Sequence, residues 1–144
     1  SFKLAGINQW QNNYPNETSI LKDIELNESY VVLDNESIIG TFALSYRIES
    51  TYDIIYDGKW LSNEKYAVIH RIAIENSYKG KGVSTFVFKE VEKWCLDKNI
   101  HSIKIDTHQD NQSMRKLLNK NGFSYCGIIY LVDGNKRLAY EKVL

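Results

Sequence analysis

From residue 66 onward, apolar residues alternate between two spacings. Residues 66–74 are dense in Val, Ile and Ala and predict a buried strand. After a short polar stretch, Val83, Phe86, Val87, Val91, Trp94 and Cys95 recur at helical spacing on one face of a helix that ends near Lys98. Residues 102–107 predict another strand, with Ile103 and Ile105 on one side. Residues 111–121 predict a helix with Met114, Leu117 and Leu118 turned inward. Asp110 or Asn111 can cap its start, and Gly122 stands where a left-handed residue closes a helix. Residues 123–132 and 136–143 predict two strands around Asp133-Gly134, a strong hairpin signal.

The N-terminal part has a weaker pattern. Residues 16–26 place Ile20, Leu21 and Ile24 at helical spacing behind a capping Asn16. Tyr30-Val31-Val32-Leu33 predicts a strand, residues 34–37 a turn, and residues 38–46 the second strand of a hairpin. Residues 49–64 mix Tyr52, Tyr56 and Trp60 with Asp53, Asp57 and Gly58 and have no clean period. They predict a long loop with at most a short helix. Residues 1–11 contain no convincing strand. The order of elements combines hairpins with a βαβ crossover of residues 66–74, the helix and residues 102–107, whose strands should run parallel. The predicted class is α+β (mixed α/β), a central mixed sheet flanked by helices.

Composition narrows the options. A chain of 144 residues, 43% hydrophobic, suits one compact domain over residues 1–144. Eighteen basic side chains balance eighteen acidic ones, so no broad basic surface invites nucleic acid. Cys95 and Cys126 form no CxxC pair, which speaks for buried reduced thiols and against a metal site or disulfide framework. No apolar run approaches the roughly 20 residues of a membrane span, and no signal peptide is visible. The expectation is a cytoplasmic protein without membrane or nucleic-acid partners. A first residue other than Met fits a processed or truncated N-terminus.

The most specific chemistry lies in Lys79-Gly80-Lys81-Gly82-Val83-Ser84, between a strand and a helix. The first N–H groups of a helix have no internal partner and carry the positive end of its dipole, so they attract phosphate. Gly80 and Gly82 let the backbone curl and approach an anion, while Lys79 and Lys81 add charge. The loop is not a Walker loop, because Gly-Lys-Ser/Thr is absent. It lacks the third glycine of a dinucleotide fingerprint, and no acidic residue for ribose closes the next strand. On the residues alone, a pyrophosphate site and a ligand-free tight turn both remain open.

In its wider setting the stretch resembles the GNAT family of acetyltransferases over roughly residues 66–143. The resemblance rests on Ile72-Ala73-Ile74, on Lys79-x-x-Gly82-x-Ser84 in place of the family's Gln/Arg-x-x-Gly-x-Gly/Ala, on Asn111 opening a helix and on Gly122-Phe123 closing it. It implies a GNAT-like acyl-CoA N-acyltransferase fold, with the family's first strand missing or degenerate here. It also implies acetyl-CoA as acyl donor, with its pyrophosphate on the backbone of Lys79, Gly80, Lys81, Gly82, Val83 and Ser84. The pantetheine arm would pair with the backbone of Ile72, Ala73 and Ile74, which asks nothing special of those side chains. Asn111 would contact the cofactor or serve as a helix cap only.

Acyl transfer to an amine needs a neutral amine, a polarised thioester carbonyl and a stabilised leaving thiolate. The resemblance supplies a backbone N–H near Ile72 for the carbonyl and requires no enzyme nucleophile. The family often carries a Tyr four residues before the helix-closing Gly, and here that residue is Leu118. Tyr130 is the alternative acid. His70, on the strand, and His108, after residues 102–107, are candidate bases, because histidine titrates near neutrality. Glu49 and Asp53 could bind a cationic amine. Trp10, Tyr14, Tyr52, Tyr56 and Trp60 could line an acceptor pocket. The leading expectation is acetyl transfer to a primary amine of a small molecule or peptide. The alternatives are a catalytically inactive CoA-binding protein of the same fold and a generic anion-binding domain. Exposed terminal strands could support a homodimer.

Overall fold

The computed structural model of the chain describes residues 1–7 and 28–144. The helix expected over residues 16–26, and the candidate pocket residues Trp10 and Tyr14, lie outside the described residues. The described strands are β1 (Phe2–Gly6), β2 (Ser29–Asp34), β3 (Ser37–Ser45), β4 (Ala67–Ile74), β5 (Ser102–Thr107), β6 (Ser124–Tyr130) and β7 (Lys136–Val143). The described α-helices are α1 (Val83–Asp97) and α2 (Gln112–Lys120). Single turns of 3-10 helix cover Ser50–Tyr52 and Asn76–Tyr78. The strands follow the hydrogen-bonded order β1-β2-β3-β4-β5-β7-β6. The result is a mixed α/β fold, as the sequence predicts. By contact, the chain divides into two compact units, and both β4 and α1 change unit partway along.

The first unit comprises Ser1–Ser45 and His70–Val87. It contains a strand that the sequence pattern missed. β1 pairs antiparallel with β2, from Phe2 opposite Asp34 to Gly6 opposite Tyr30. An edge strand needs only backbone partners on one side, so five residues with little alternation suffice. The Phe2 ring supports this placement by meeting Tyr78 and Phe86 edge-on at 6.4 Å and 5.8 Å. β2 and β3 form the expected hairpin, with Asn35 in the left-handed region (φ 55°) at its turn. Val31, Val32, Leu33, Ile39 and Phe42 are buried.

The second unit comprises Tyr46–Ile69 and Phe88–Leu144. Here β4 pairs parallel with β5 at Ala67–Ile103 and Val68–Lys104, the parallel pairing expected of a βαβ unit. β7 runs antiparallel between β5 and β6. Phe88, Val91 and Cys95 bury the α1 face found in the sequence. α2 starts as predicted, with the Asn111 side chain accepting from the Met114 N–H at 3.2 Å. It closes at Gly122 (φ 86°), where the Phe123 N–H returns to the Leu118 carbonyl at 3.0 Å. Leu118 is fully buried, and Phe123 packs on Phe88 at 5.2 Å.

Candidate functional site

The phosphate-site expectation falls on the first unit. Gly80 and Gly82 adopt φ of 79° and 80°, the left-handed region where a Cβ is strained. A Cβ on either would meet no atom within 4 Å, so the space beside both is open. α1 begins at Val83, one residue later than expected, and its first ladder bond runs from the Phe86 N–H to the Gly82 carbonyl at 3.0 Å. The backbone N–H groups of Gly80, Gly82, Val83, Ser84 and Thr85 have no acceptor among the described residues. A run of unpaired donors at a helix start, with two curled glycines and the exposed Lys79 and Lys81 beside it, fits a pyrophosphate.

The approach to this loop is braced. The Tyr78 hydroxyl donates to Asp34 Oδ2 at 2.7 Å, and Lys81 Nζ lies 5.3 Å from the Tyr78 ring centre. The hydrogen bond from Tyr78 leads the lowering of the Asp34 pKa, and the same bond leads the raising of the phenol's. Ile72, Ala73 and Ile74 continue β4 into the loop, and the Glu75 N–H donates to the Ile39 carbonyl at 2.8 Å. The β4–β5 ladder is only two pairs long, so Ile72 to Ile74 lie beyond it. Within β4, Arg71 has φ of 51°, left-handed in a non-glycine residue. Such a residue breaks the pleat and re-aims the peptide that follows, here that of Ile72.

The proposed proton-transfer residues stand in varied surroundings. His70 is half-buried on β4, directly before the left-handed Arg71. His108 is exposed in the second unit. Its Nδ1 lies 3.1 Å from the Asp110 backbone nitrogen and 3.6 Å from Asp110 Oδ2. Asn111 is the cap of α2. Its Oδ1 accepts from Met114 and Ser113, which leaves Nδ2 to donate. Tyr130 ends β6, is 45% exposed and meets the Tyr56 ring edge-on at 5.5 Å. Cys95 and Cys126 are buried, and burial pushes both thiols up to about 11, which makes them poor nucleophiles. Among the described residues no group of three or more His, Cys, Asp and Glu could hold a metal ion. No described helix is long and apolar enough to cross a membrane.

The long loop of residues 49–66 is more ordered than its sequence suggests. Tyr52 is buried and donates to Asp106 Oδ1 at 2.5 Å. Burial, then the Asp106 charge, push its phenol well above the usual tyrosine range. Trp60 Nε1 donates to the Tyr52 carbonyl at 2.9 Å, and Lys104 Nζ lies 4.2 Å from the Trp60 and 4.1 Å from the Tyr66 ring centres. Fully buried Glu141 accepts from the Leu61 N–H at 2.8 Å and from the Ser62 and Ser102 hydroxyls at 2.6 and 2.7 Å. Tyr56 bridges to Ile128, and a Cβ at Gly58 would sit 1.9 Å from the Cys126 carbonyl oxygen, so only glycine passes there. The sequence offered the aromatics as a hint of this arrangement but offered no sign of Lys104, Asp106 and Glu141, which it presented as ordinary strand polar positions.

Comparison with known proteins adds a second line of observation. The model of the acetyltransferase (GNAT) family matches residues 5–123. Streptothricin acetyltransferase of Escherichia coli is 31% identical over 62 residues, which span 43% of this chain and 36% of that protein. A crystal structure of a GNAT family acetyltransferase from Streptococcus agalactiae superposes with a TM-score of 0.72 at 35% identity, covering 95% of this chain and 78% of that one. A Bacillus anthracis chain described as a streptothricin acetyltransferase, in complex with acetyl coenzyme A, shares the fold (TM-score 0.62, 21% identity), covering 81% of this chain and 61% of that one.

Proposed function

Because this chain belongs to the GNAT acetyltransferase family, we propose that it transfers an acetyl group from acetyl-CoA directly to a primary amine of a small molecule or peptide. The observation that carries this reading is the set of open N–H donors of Gly80, Gly82, Val83, Ser84 and Thr85, beside two left-handed glycines and two lysines whose own N–H groups are taken by the Asn76 and Tyr78 carbonyls. That arrangement suits the pyrophosphate of CoA. The backbone of Ile72, Ala73 and Ile74, past the end of the short β4–β5 ladder, suits an extended pantetheine arm. Relatives support the same donor, one of them through its complex with acetyl coenzyme A.

The reaction follows from the groups present. The acceptor loses one proton, and its lone pair attacks the thioester carbon. The C–N bond forms, the C–S bond breaks, the nitrogen gives up a second proton to become the amide, and the thiolate leaves and takes up a proton. The peptide N–H re-aimed after Arg71 is the candidate donor to the carbonyl oxygen. Neither cysteine takes part, since both thiols are buried and protonated at neutral pH. His70, half-buried on β4, and His108, beside Asp110, are the two candidate bases.

Fully buried Leu118, where the family often has a Tyr, favours a second reading: a CoA-binding protein that no longer catalyses. One experiment orders these readings. Acetyl-CoA should raise the melting temperature by several degrees at saturating ligand. No shift at millimolar ligand would rule out both readings. A shift with no amine-dependent thiol release across a panel of amines would leave only the binding protein.

A further inference from the structure

Residues 79–82 have little packing of their own to hold their shape. Gly80 and Gly82 carry no side chain and have open space beside them, and Lys79 and Lys81 are exposed. Glycine also loses more conformational freedom on being ordered than any other residue. Such a loop binds an anion tightly only where its flanks have already fixed it, because ordering it on binding would subtract from affinity.

Tyr78 is the fixed point on the incoming side. It ends the turn Asn76–Tyr78, its N–H donates to the Glu75 carbonyl at 2.9 Å, and its carbonyl accepts from the Lys81 N–H at 3.2 Å. Its hydroxyl reaches across 44 positions to Asp34 Oδ2, at the end of β2. Its ring meets Phe2 edge-on, and Phe2 also meets Phe86 in the first turn of α1, so one side chain of β1 touches both flanks of the loop. Lys81 Nζ lies over the Tyr78 ring, 5.3 Å from its centre, which places that ammonium beside the loop. Backbone, ring and charge of the loop therefore all meet at Tyr78, and every residue in this arrangement belongs to the first unit.

We propose that Tyr78, held by Asp34, is a positioning residue that preorganises residues 79–85 for the diphosphate of CoA. It sets affinity for the acyl donor and not the rate of acyl transfer. This rests on the acetyl-transfer reading above.

The test is titration calorimetry with CoA, which needs no turnover, followed by kinetics with two donors. Tyr78→Phe keeps the ring and removes only the hydroxyl, and it should weaken CoA binding by about three- to tenfold. Asp34→Ala and Asp34→Asn both remove the carboxylate charge, but only Asn still offers the phenol an acceptor. Asp34→Ala should therefore bind CoA several-fold more weakly than Asp34→Asn. In turnover, Tyr78→Phe should raise KM for acetyl-CoA and leave kcat at saturating donor in place. With S-acetylpantetheine, which lacks the diphosphate, kcat/KM should be the same in wild type and Tyr78→Phe, whereas a general weakening of the fold would lower it for both donors. Wild-type CoA affinity in Tyr78→Phe, equal affinity in the two Asp34 variants, or an equal loss with acetylpantetheine would each overturn the proposal and leave acetyl transfer standing. Wild-type protein that neither binds CoA nor releases thiol in the presence of amines would overturn the acetyl-transfer reading, and this proposal with it.

Discussion

Gly82 combines a backbone conformation that favours glycine with open space beside it, and it immediately precedes the first turn of α1. A glutamate there would put a carboxylate among the unpaired N–H groups and replace attraction for phosphate by repulsion. Gly82→Glu should weaken CoA binding by at least about 100-fold. Gly82→Ala, which adds the backbone strain without the charge, should lose far less, and titration calorimetry of the two variants separates the causes. At the same scale, whichever of His70→Gln and His108→Gln removes the acidic limb of the kcat/KM–pH profile identifies the base. A profile unchanged in both variants would show that neither histidine is the base. The loop, the cap at Asn111 and the close at Gly122 were all readable in the sequence, because glycine, asparagine and proline mark particular backbone states. Arg71 was not, because nothing in an arginine announces a left-handed φ within a strand.

Elements with a repeating pattern were equally readable. β2 through β7, α1 and α2 fall within a few residues of their predicted bounds, since each buries a regular face. β1 escaped because its stability comes from backbone pairing to β2 and from one ring, Phe2. The order within residues 49–66 escaped for a different reason. Its anchors are polar, and the residues they hold lie up to 80 positions away. Glu141 is the central anchor, with three donors and Lys104 opposite it in the β5–β7 register. Removing it leaves those three donors unsatisfied and takes a negative charge from the surroundings of the Lys104 ammonium, so Glu141→Ala should cost at least about 3 kcal/mol in urea unfolding. Glu141→Gln keeps one acceptor oxygen and should cost less. In hydrogen exchange, both variants should open the Leu61 amide first, because its acceptor is the carboxylate itself.

For the whole molecule, the equal counts of acidic and basic residues conceal an alkaline weakness. Burial raises the Cys95 and Cys126 thiols from 9.0 to about 11 in the folded state, and Tyr52 is also pushed up. Between those two values the unfolded chain has released its thiol protons and the folded chain retains them. The folded state then binds more protons, so stability falls as pH rises. The melting temperature should decline from about pH 9 upward, with up to roughly 3 kcal/mol per thiol lost by pH 11. Cys95→Ala should flatten that decline although it leaves a small cavity. A thiol reagent at neutral pH should label neither cysteine until the protein unfolds. Sequence composition foresaw buried thiols, but their environment, and hence the direction of this pH dependence, required the fold.

The alternate β5 positions Ser102, Lys104 and Asp106 have a consequence for anyone wishing to rebuild residues 49–66. Residues 49–66 do not form a cassette that can be exchanged at its two ends. They are keyed to alternate positions of β5 and to Glu141 on β7, so a loop transplanted from a relative would arrive without the partners it was matched to. Redesign therefore has to move the loop together with every second residue of the strand beneath it.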